Sequence, residues 1–309
     1  MLNYSVAELR ITMKLIYIAI SIICFGLFSC DNSFSKYEKK EKNDLEKSRL
    51  YGNVKEVSRY CDGEIREIDK YNKYGFLCEK VEYENNQVSE TTSYLYDEYG
   101  CLKKEIYKGP NCKSEREYLY DDKHNVTTSY SNIIEAYNNK VTVGRHLLSS
   151  HEYSYDDLGN VLTEKIRTGE STENGNYKVK QYNLNGILVG EMSIDENGRI
   201  KYAYKYEYYS DGKEYRTIWY NSDGTVRKYW ESQYFGNNES TYTIYENDCD
   251  PYVKRYKCNE KNDLIWDDEG DGSIITHEYK YDDKDNIISH TEKRDGTIQY
   301  KETFQITYF

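Results

Sequence analysis

The chain has 309 residues and a formal net charge of −12, with 54 acids against 42 bases; without a basic stripe, this balance excludes a phosphate backbone as partner, because nucleic-acid binding needs clustered Lys and Arg. Two prolines in the whole chain exclude a polyproline or mucin-like stalk. Beyond the N-terminal apolar stretch, Leu, Ile, Val and Phe supply roughly a sixth of the residues, a fraction typical of disordered chains. The 37 tyrosines point the other way, since each buries about 150–250 Å² while leaving its hydroxyl wet, and tyrosine favours pleated, half-buried strands.

In chain order, residues 1–29 read as a secretory signal: Lys14, an apolar run from Leu15 to Phe28, then Ser29 before Cys30, which is the charged, apolar and small-residue order of such segments. The run is too short to span a bilayer comfortably. Glu8 and Arg10 precede it, so Met13 is taken as the true start. Leu27-Phe28-Ser29-Cys30 resembles the lipobox of bacterial lipoproteins, with a looser fit at Phe28. That resemblance implies a diacylglycerol on the Cys30 thiol and cleavage before it; the alternative is an ordinary signal cut nearby with Cys30 unmodified. Residues 30–48, polar and rich in Lys and Glu, read as the lipidated Cys followed by a flexible tether.

Residues 49–309 form the repeat domain. Tyr94-Leu95-Tyr96-Asp97, Tyr118-Leu119-Tyr120-Asp121, Tyr153-Ser154-Tyr155-Asp156 and Tyr279-Lys280-Tyr281-Asp282 are near copies spaced at roughly 25 residues or multiples of it. Weaker members fall near Tyr71, Tyr182, Tyr208, Tyr234 and Tyr256, and an insertion separates Tyr120 from Tyr155. Two-residue alternation puts both tyrosines of each copy on one face of a strand. The following Asp with a Gly or Asn supplies a turn, and a second alternating run, such as Val161 to Ile166, completes a hairpin.

His151 to Asn160, with its Tyr-x-Tyr-Asp-x-x-Gly-Asn order, resembles the Rhs/YD-repeat family; at Tyr120 and Tyr281 the Gly is replaced by His124 and Asp285. The resemblance covers most of residues 50–309. It implies an all-β fold in which successive hairpins join into a curved or twisted, solenoid-like antiparallel sheet, and it is nearest to small repeat-bearing lipoproteins of Bacteroides-like bacteria. The sequence shows no toxin domain after the repeats.

Six further cysteines suggest disulfides in an exported chain: Cys101 with Cys112, Cys249 with Cys258, and Cys61 with Cys78, the alternative being buried thiols. Asp267, Glu269, Asp271, Ser273 and Glu278 follow the ligand order of a calcium loop, but Glu278 also begins a repeat strand, so an acidic hairpin loop is the preferred reading and no metal is expected. His151 and His277 hold equivalent repeat positions, which marks a shared structural place rather than catalysis. No nucleophile elbow, phosphate loop or dinucleotide fingerprint is present. Trp219, Trp230 and Trp266 either pack the sheet or offer a platform for sugar or peptide.

The expected function is therefore a non-enzymatic binding or structural lipoprotein of the cell envelope, on the outer membrane, with a protein or glycan ligand and no cofactor besides the lipid. The alternatives are an immunity or accessory protein of a toxin system, by kinship of fold alone, and an envelope hydrolase, for which no residue is assigned.

Overall fold

The computed structural model describes residues 43–309 apart from 111, 138–139, 158, 169–175, 184, 196 and 247–248. The signal segment, Cys30 and the chain up to residue 42 lie outside the described residues.

The chain begins with a capped helical turn, α1 (Asp44–Lys47), and continues as twenty strands. The first ten are β1 (Val54–Cys61), β2 (Glu64–Tyr71), β3 (Leu77–Glu84), β4 (Gln87–Tyr96), β5 (Leu102–Lys108), β6 (Cys112–Tyr120), β7 (Val126–Tyr137), β8 (Lys140–Tyr155), β9 (Val161–Thr168) and β10 (Asn176–Tyr182). The second ten are β11 (Leu188–Ile194), β12 (Ile200–Tyr208), β13 (Glu214–Tyr220), β14 (Val226–Phe235), β15 (Glu239–Glu246), β16 (Tyr252–Cys258), β17 (Leu264–Asp268), β18 (Ile274–Tyr281), β19 (Ile287–Arg294) and β20 (Thr297–Tyr308). Each strand pairs antiparallel with the next. The insertion between Tyr120 and Tyr155 is absorbed by lengthening one hairpin, whose arms β7 and β8 run to 12 and 16 residues.

Where a tyrosine-bearing strand ends, the repeat's Asp or Asn closes a five-residue turn. Asp121 Oδ1 accepts from the backbone N–H of Lys123 and Asn125 at 3.0 and 2.8 Å, and Asp282 makes the same pair of bonds to Lys284 and Asn286. The fourth residue must adopt a positive φ, which glycine does at no steric cost: Gly159 has φ 87°, while His124 and Asp285 hold the same place at 65° and 68°. The copies that depart from the glycine pattern therefore keep the turn. We call the end carrying the Asp121 and Asp282 turns the lower rim; turns of the same build at Asp195 and Asn221 lie at the other end.

On six of the descending strands the terminal tyrosine clasps the lower turn of the hairpin before it. Tyr120 donates to the Leu102 carbonyl at 2.6 Å, Tyr208 to Leu188 at 2.7 Å and Tyr96 to Leu77 at 2.9 Å. Tyr155, Tyr281 and Tyr308 donate instead to the carboxylates of Asp121, Asp263 and Asp282. As the alternation requires, paired rings share a face: Tyr153 and Tyr155 lie 6.3 Å apart, as do Tyr279 and Tyr281, and Tyr202 lies 5.4 Å from Tyr204.

The expectation of an open, solenoid-like sheet is overturned. β1 pairs antiparallel with β20 from Val54↔Tyr308 to Cys61↔Glu302, and among the described residues every other strand is paired on both edges, so the sheet closes into an up-and-down barrel. Closure removes the two edges that an open sheet would have to cap. With this many strands the side chains do not meet across the interior, which accounts for the scarcity of aliphatic residues.

The tyrosine face is the concave, lumen-side face. Side chains of that face from β1, β2, β18, β19 and β20 line one common cavity, and Tyr204 on β12 reaches Trp230 on β14, two strands away, at 6.4 Å. The opposite face is charged. Lys70 pairs with Glu79, Lys104 with Glu115, Arg167 with Glu152 and Lys257 with Glu239 at 2.6–2.8 Å, all at positions that alternate with lumen residues.

At the lower rim, Leu45 of α1 is buried with Val54 and Tyr71 against Leu50, Val57, Leu77, Ile306 and Tyr308. Residues 43–48, the end of the stretch read as a tether, thus form a capped turn docked on the barrel. Asn43 Oδ1 accepts from the Glu46 N–H at 3.0 Å, and the backbone N–H of Leu45 donates to the Gly75 carbonyl at 3.0 Å.

Candidate ligand cavity in the barrel lumen

The cavity lies just inside the lower rim and measures about 580 Å³, within the roughly 300–1,000 Å³ range of small-molecule sites. Its aromatic and aliphatic wall is formed by Tyr71, Tyr279, Tyr281, Phe304 and Ile306. Its charged wall comes from alternate residues of β1 and β2: Arg59, Glu67 and Asp69. Strand closure brings these two walls together, because the charged residues come from the start of the domain and, apart from Tyr71, the aromatic and aliphatic ones from its end.

Residues 48–51 strap one side of the cavity. Arg49 spans to the β16–β17 turn, pairing with Asp263 at 2.9 Å and donating to the Lys261 carbonyl at 2.6 Å. The Tyr51 N–H donates to Asn286 Oδ1 at 2.6 Å, and Asn286, fully buried, returns a bond to the Tyr51 carbonyl at 2.9 Å.

Arg59 is held on two sides, by Glu302 at 3.2 Å and Glu67 at 3.5 Å, and Lys80 reaches Glu67 at 2.7 Å and Asp69 at 3.8 Å. Burial, together with the charge of Glu67, pushes the Asp69 carboxyl up to about 6. Two polar atoms of this wall, Arg59 Nε and Asp69 Oδ1, are buried with no hydrogen-bond partner. Burial likewise raises Tyr279 and Tyr281 to about 12, so both phenols stay neutral and able to donate.

Behind Tyr279 sits a histidine pair. His290 stacks on Tyr279 with ring centroids 4.7 Å apart, and His277 Nδ1 lies 3.0 Å from His290 Nε2. Burial, then His290, lowers the His277 pKa. His277 stacks on Tyr279, and His151 stacks on Tyr153 at the same repeat position, so both extend the aromatic file of their strand, as their equivalent spacing suggests.

The remaining sequence candidates are dispersed. Cys101 and Cys112 stand at opposite ends of β5, and Cys249 and Cys258 at opposite ends of β16; Cys61 is at the upper end of β1 and Cys78 at the lower end of β3. The three expected disulfides are not made, and each residue is a thiol. A seven-residue strand spans about 23 Å, whereas a disulfide needs Cα atoms about 4.4–6.8 Å apart. Nor do the calcium-loop residues converge: Asp267 is buried on the lumen face, Glu269 pairs with Lys254, Asp271 closes its own turn on the Ser273 N–H, and Glu278 pairs with Lys293 on the outer face. No metal-binding cluster exists among the described residues. Trp219 and Trp230 pack on Tyr204 inside the barrel, while Trp266 lies in a groove of the outer wall with Arg255 and Lys257.

No known protein family matches the sequence, and no curated protein does. Among solved structures, a porin-like protein of Bacteroides uniformis ATCC 8492 aligns at 12% identity over 82% of this chain and 98% of that one, with a TM-score of 0.37. A porin-like protein of Bacteroides vulgatus ATCC 8482 aligns at 10% identity over 83% and 98%, with a TM-score of 0.27. The Photorhabdus luminescens Tc holotoxin pore aligns at 12% identity over 76% of this chain but 15% of its own, with a TM-score of 0.28. These scores are too low to carry fold or function across. The closed barrel rests on the strand pairing itself.

Proposed function

We propose that this chain is a non-catalytic binding module of the bacterial cell envelope: a repeat-built barrel that stands in water, is held to the outer membrane by a lipid on Cys30, and presents its tyrosine-lined lumen to a ligand. The observation that carries this reading is the ion-paired outer wall. A barrel that spans a bilayer turns an apolar band about 25 Å tall toward lipid, and a single Lys or Arg at its midplane costs about 2–4 kcal/mol. Here Lys70, Lys104, Arg145, Arg167, Lys205 and Lys257, with their Glu partners, circle the outside. No helix among the described residues is long and apolar enough to cross a membrane.

The repeat register supports kinship with the YD-repeat group: the Tyr-x-Tyr-Asp copies all fall at strand ends, with their Asp in the same turn. The non-catalytic reading is supported by Glu67, whose carboxylate is tied to Arg59 and Lys80.

Replacing residues 1–30 by an ordinary cleavable secretory leader tests the reading. The barrel should then appear folded in the aqueous fraction, while the native chain stays with membranes until detergent is added and shows a lipid-modified Cys30 by mass spectrometry. If the leader-swapped chain remains an integral membrane protein, the barrel itself is embedded and the reading fails.

A further inference from the structure

Resting on the reading of the chain as a lipid-anchored barrel that stands in water, we infer that its lower rim is a membrane-contact surface, seated on the headgroup layer of zwitterionic phospholipid. The case starts from an asymmetry. Seven aromatic side chains are exposed among the described residues, and six of them, Tyr51, Tyr99, Tyr209, Tyr234, Phe235 and Phe309, stand at the lower end; Tyr177 is at the other. The upper end instead exposes aliphatic groups such as Val88, Ile274 and Ile298. The six rings are spread round the barrel, from the β1–β20 seam through the β4–β5 turn to the lower ends of β12 and β14. Rings of this kind settle at the boundary between headgroups and acyl chains.

Shape and attachment select the same end. Eight of the nine turns at the lower rim share one five-residue plan, from 72–76 to 282–286, so no long loop between strands holds this rim off a surface. The upper rim is stepped: β8 pairs with β9 only from Ser149 to Tyr155, and residues 140–148 rise past that strand. The chain also enters the barrel from below. Leu45 of α1 is buried there with Val54 and Tyr71, and only residues 31–42 separate Asn43 from Cys30, a reach of at most about 45 Å. Charge at the turn tips then selects the lipid. Lys123, Lys261 and Lys284 lie over the rings of Tyr155, Tyr281 and Tyr308, at 3.8, 5.0 and 3.6 Å from their centroids, on stems long enough to carry the ammonium to a phosphate. Each is matched by an exposed acid beside it, Asp122, Glu260 and Asp283. An anionic surface would therefore gain little, whereas a zwitterionic headgroup offers its phosphate to the lysines and its cation to the acids.

Hydroxyl-radical footprinting tests this on the native chain bound to phosphatidylcholine vesicles, with the leader-swapped chain free in buffer as reference. Tyr99, Phe235 and Phe309 should be protected severalfold on the vesicles, while Val88, Ile274 and Ile298 stay as reactive as in buffer. A second arm needs no anchor. The leader-swapped chain should partition weakly and reversibly onto concentrated phosphatidylcholine vesicles. Tyr99→Ser, Phe235→Ser and Phe309→Ser together should weaken that partitioning about tenfold, equivalent to about 1.4 kcal/mol, without lowering the unfolding temperature. Val88→Ser, Ile274→Ser and Ile298→Ser together should leave it unchanged, and added phosphatidylglycerol should not strengthen it. Protection of the upper set, or lower aromatics equally oxidised on vesicles and in buffer, would overturn the inference, as would partitioning that requires phosphatidylglycerol. Protection of the lower aromatics in buffer that grows with protein concentration would give the rim to a second copy and overturn it too. An unmodified Cys30 would overturn the anchor alone, because the second arm decides the rim without it.

Discussion

Asp69 is a carboxylate kept where water cannot solvate it well. Its folded pKa, about 6, lies above the ordinary carboxylate value near 3.9, so the folded protein holds this proton more tightly than the unfolded chain. The ionised group therefore costs stability at neutral pH; the cost sets in as pH rises from about 4 and is fully present above 6. Asp69→Asn is expected to stabilise the barrel by about 1–3 kcal/mol at pH 7 and by little at pH 4. Thermal unfolding at the two pH values checks this, and an equal increment at both would show that charge is not the cause.

The strand-end tyrosines act by their hydroxyls as well as their rings. Tyr281 and Tyr308 donate to the Asp263 and Asp282 carboxylates, and hydrogen bonds to charged groups contribute about 1.5–3 kcal/mol. Tyr281→Phe and Tyr308→Phe should each destabilise by an amount in that range. Tyr204→Phe, which alters a ring packed between Tyr202, Tyr206 and Trp219, should cost well under 1 kcal/mol. Denaturant unfolding of the three variants decides; equal losses would mean that ring packing alone holds the rim.

At the scale of the element, a hairpin is two strands and a turn, joined on six of the descending strands by a tyrosine clasp reaching back to the hairpin before. This level was legible in the sequence, because alternation and turn chemistry are local: Tyr153 and Tyr155 share a face as their spacing requires, and Asp156 closes its turn on Asn160. Even His124 and Asp285, where glycine was missing, follow the rule through a left-handed backbone. The disulfide pairings failed at this same level, since Cys101 and Cys112 are close in sequence but bracket a whole strand. Restoring glycine at position 285 should relieve the positive φ and stabilise the turn by up to about 1 kcal/mol, less whatever the Lys261 ion pair contributes. The Asp285→Gly midpoint in urea checks this, and a marked loss would show that the ion pair outweighs the strain.

At the scale of the whole molecule, the feature that defines the protein leaves no local trace. An open sheet and a closed barrel need the same two-residue alternation, and nothing in residues 54–61 announces that 302–308 will lie beside them. The candidate cavity was hidden for the same reason. Arg59, Glu67 and Asp69 read as ordinary solvated charges of two early strands until closure sets them opposite Tyr279, Tyr281 and Phe304. Closure also turns the tyrosine face into a lumen and leaves the ion-paired face as the only outside, and the proposed location and ligand both descend from it.

The most direct test is a cross-link over the seam. Cys61 and Glu302 are paired neighbours on β1 and β20, so Glu302→Cys places a thiol next to a native one. Mild oxidation followed by peptide mapping should recover, from the monomer and in high yield, a disulfide joining Cys61 to the introduced thiol. In an open sheet of this many strands the two positions would lie about 90 Å apart at the 4.7–4.9 Å strand spacing, and a monomer that forms no such disulfide would contradict the closed barrel.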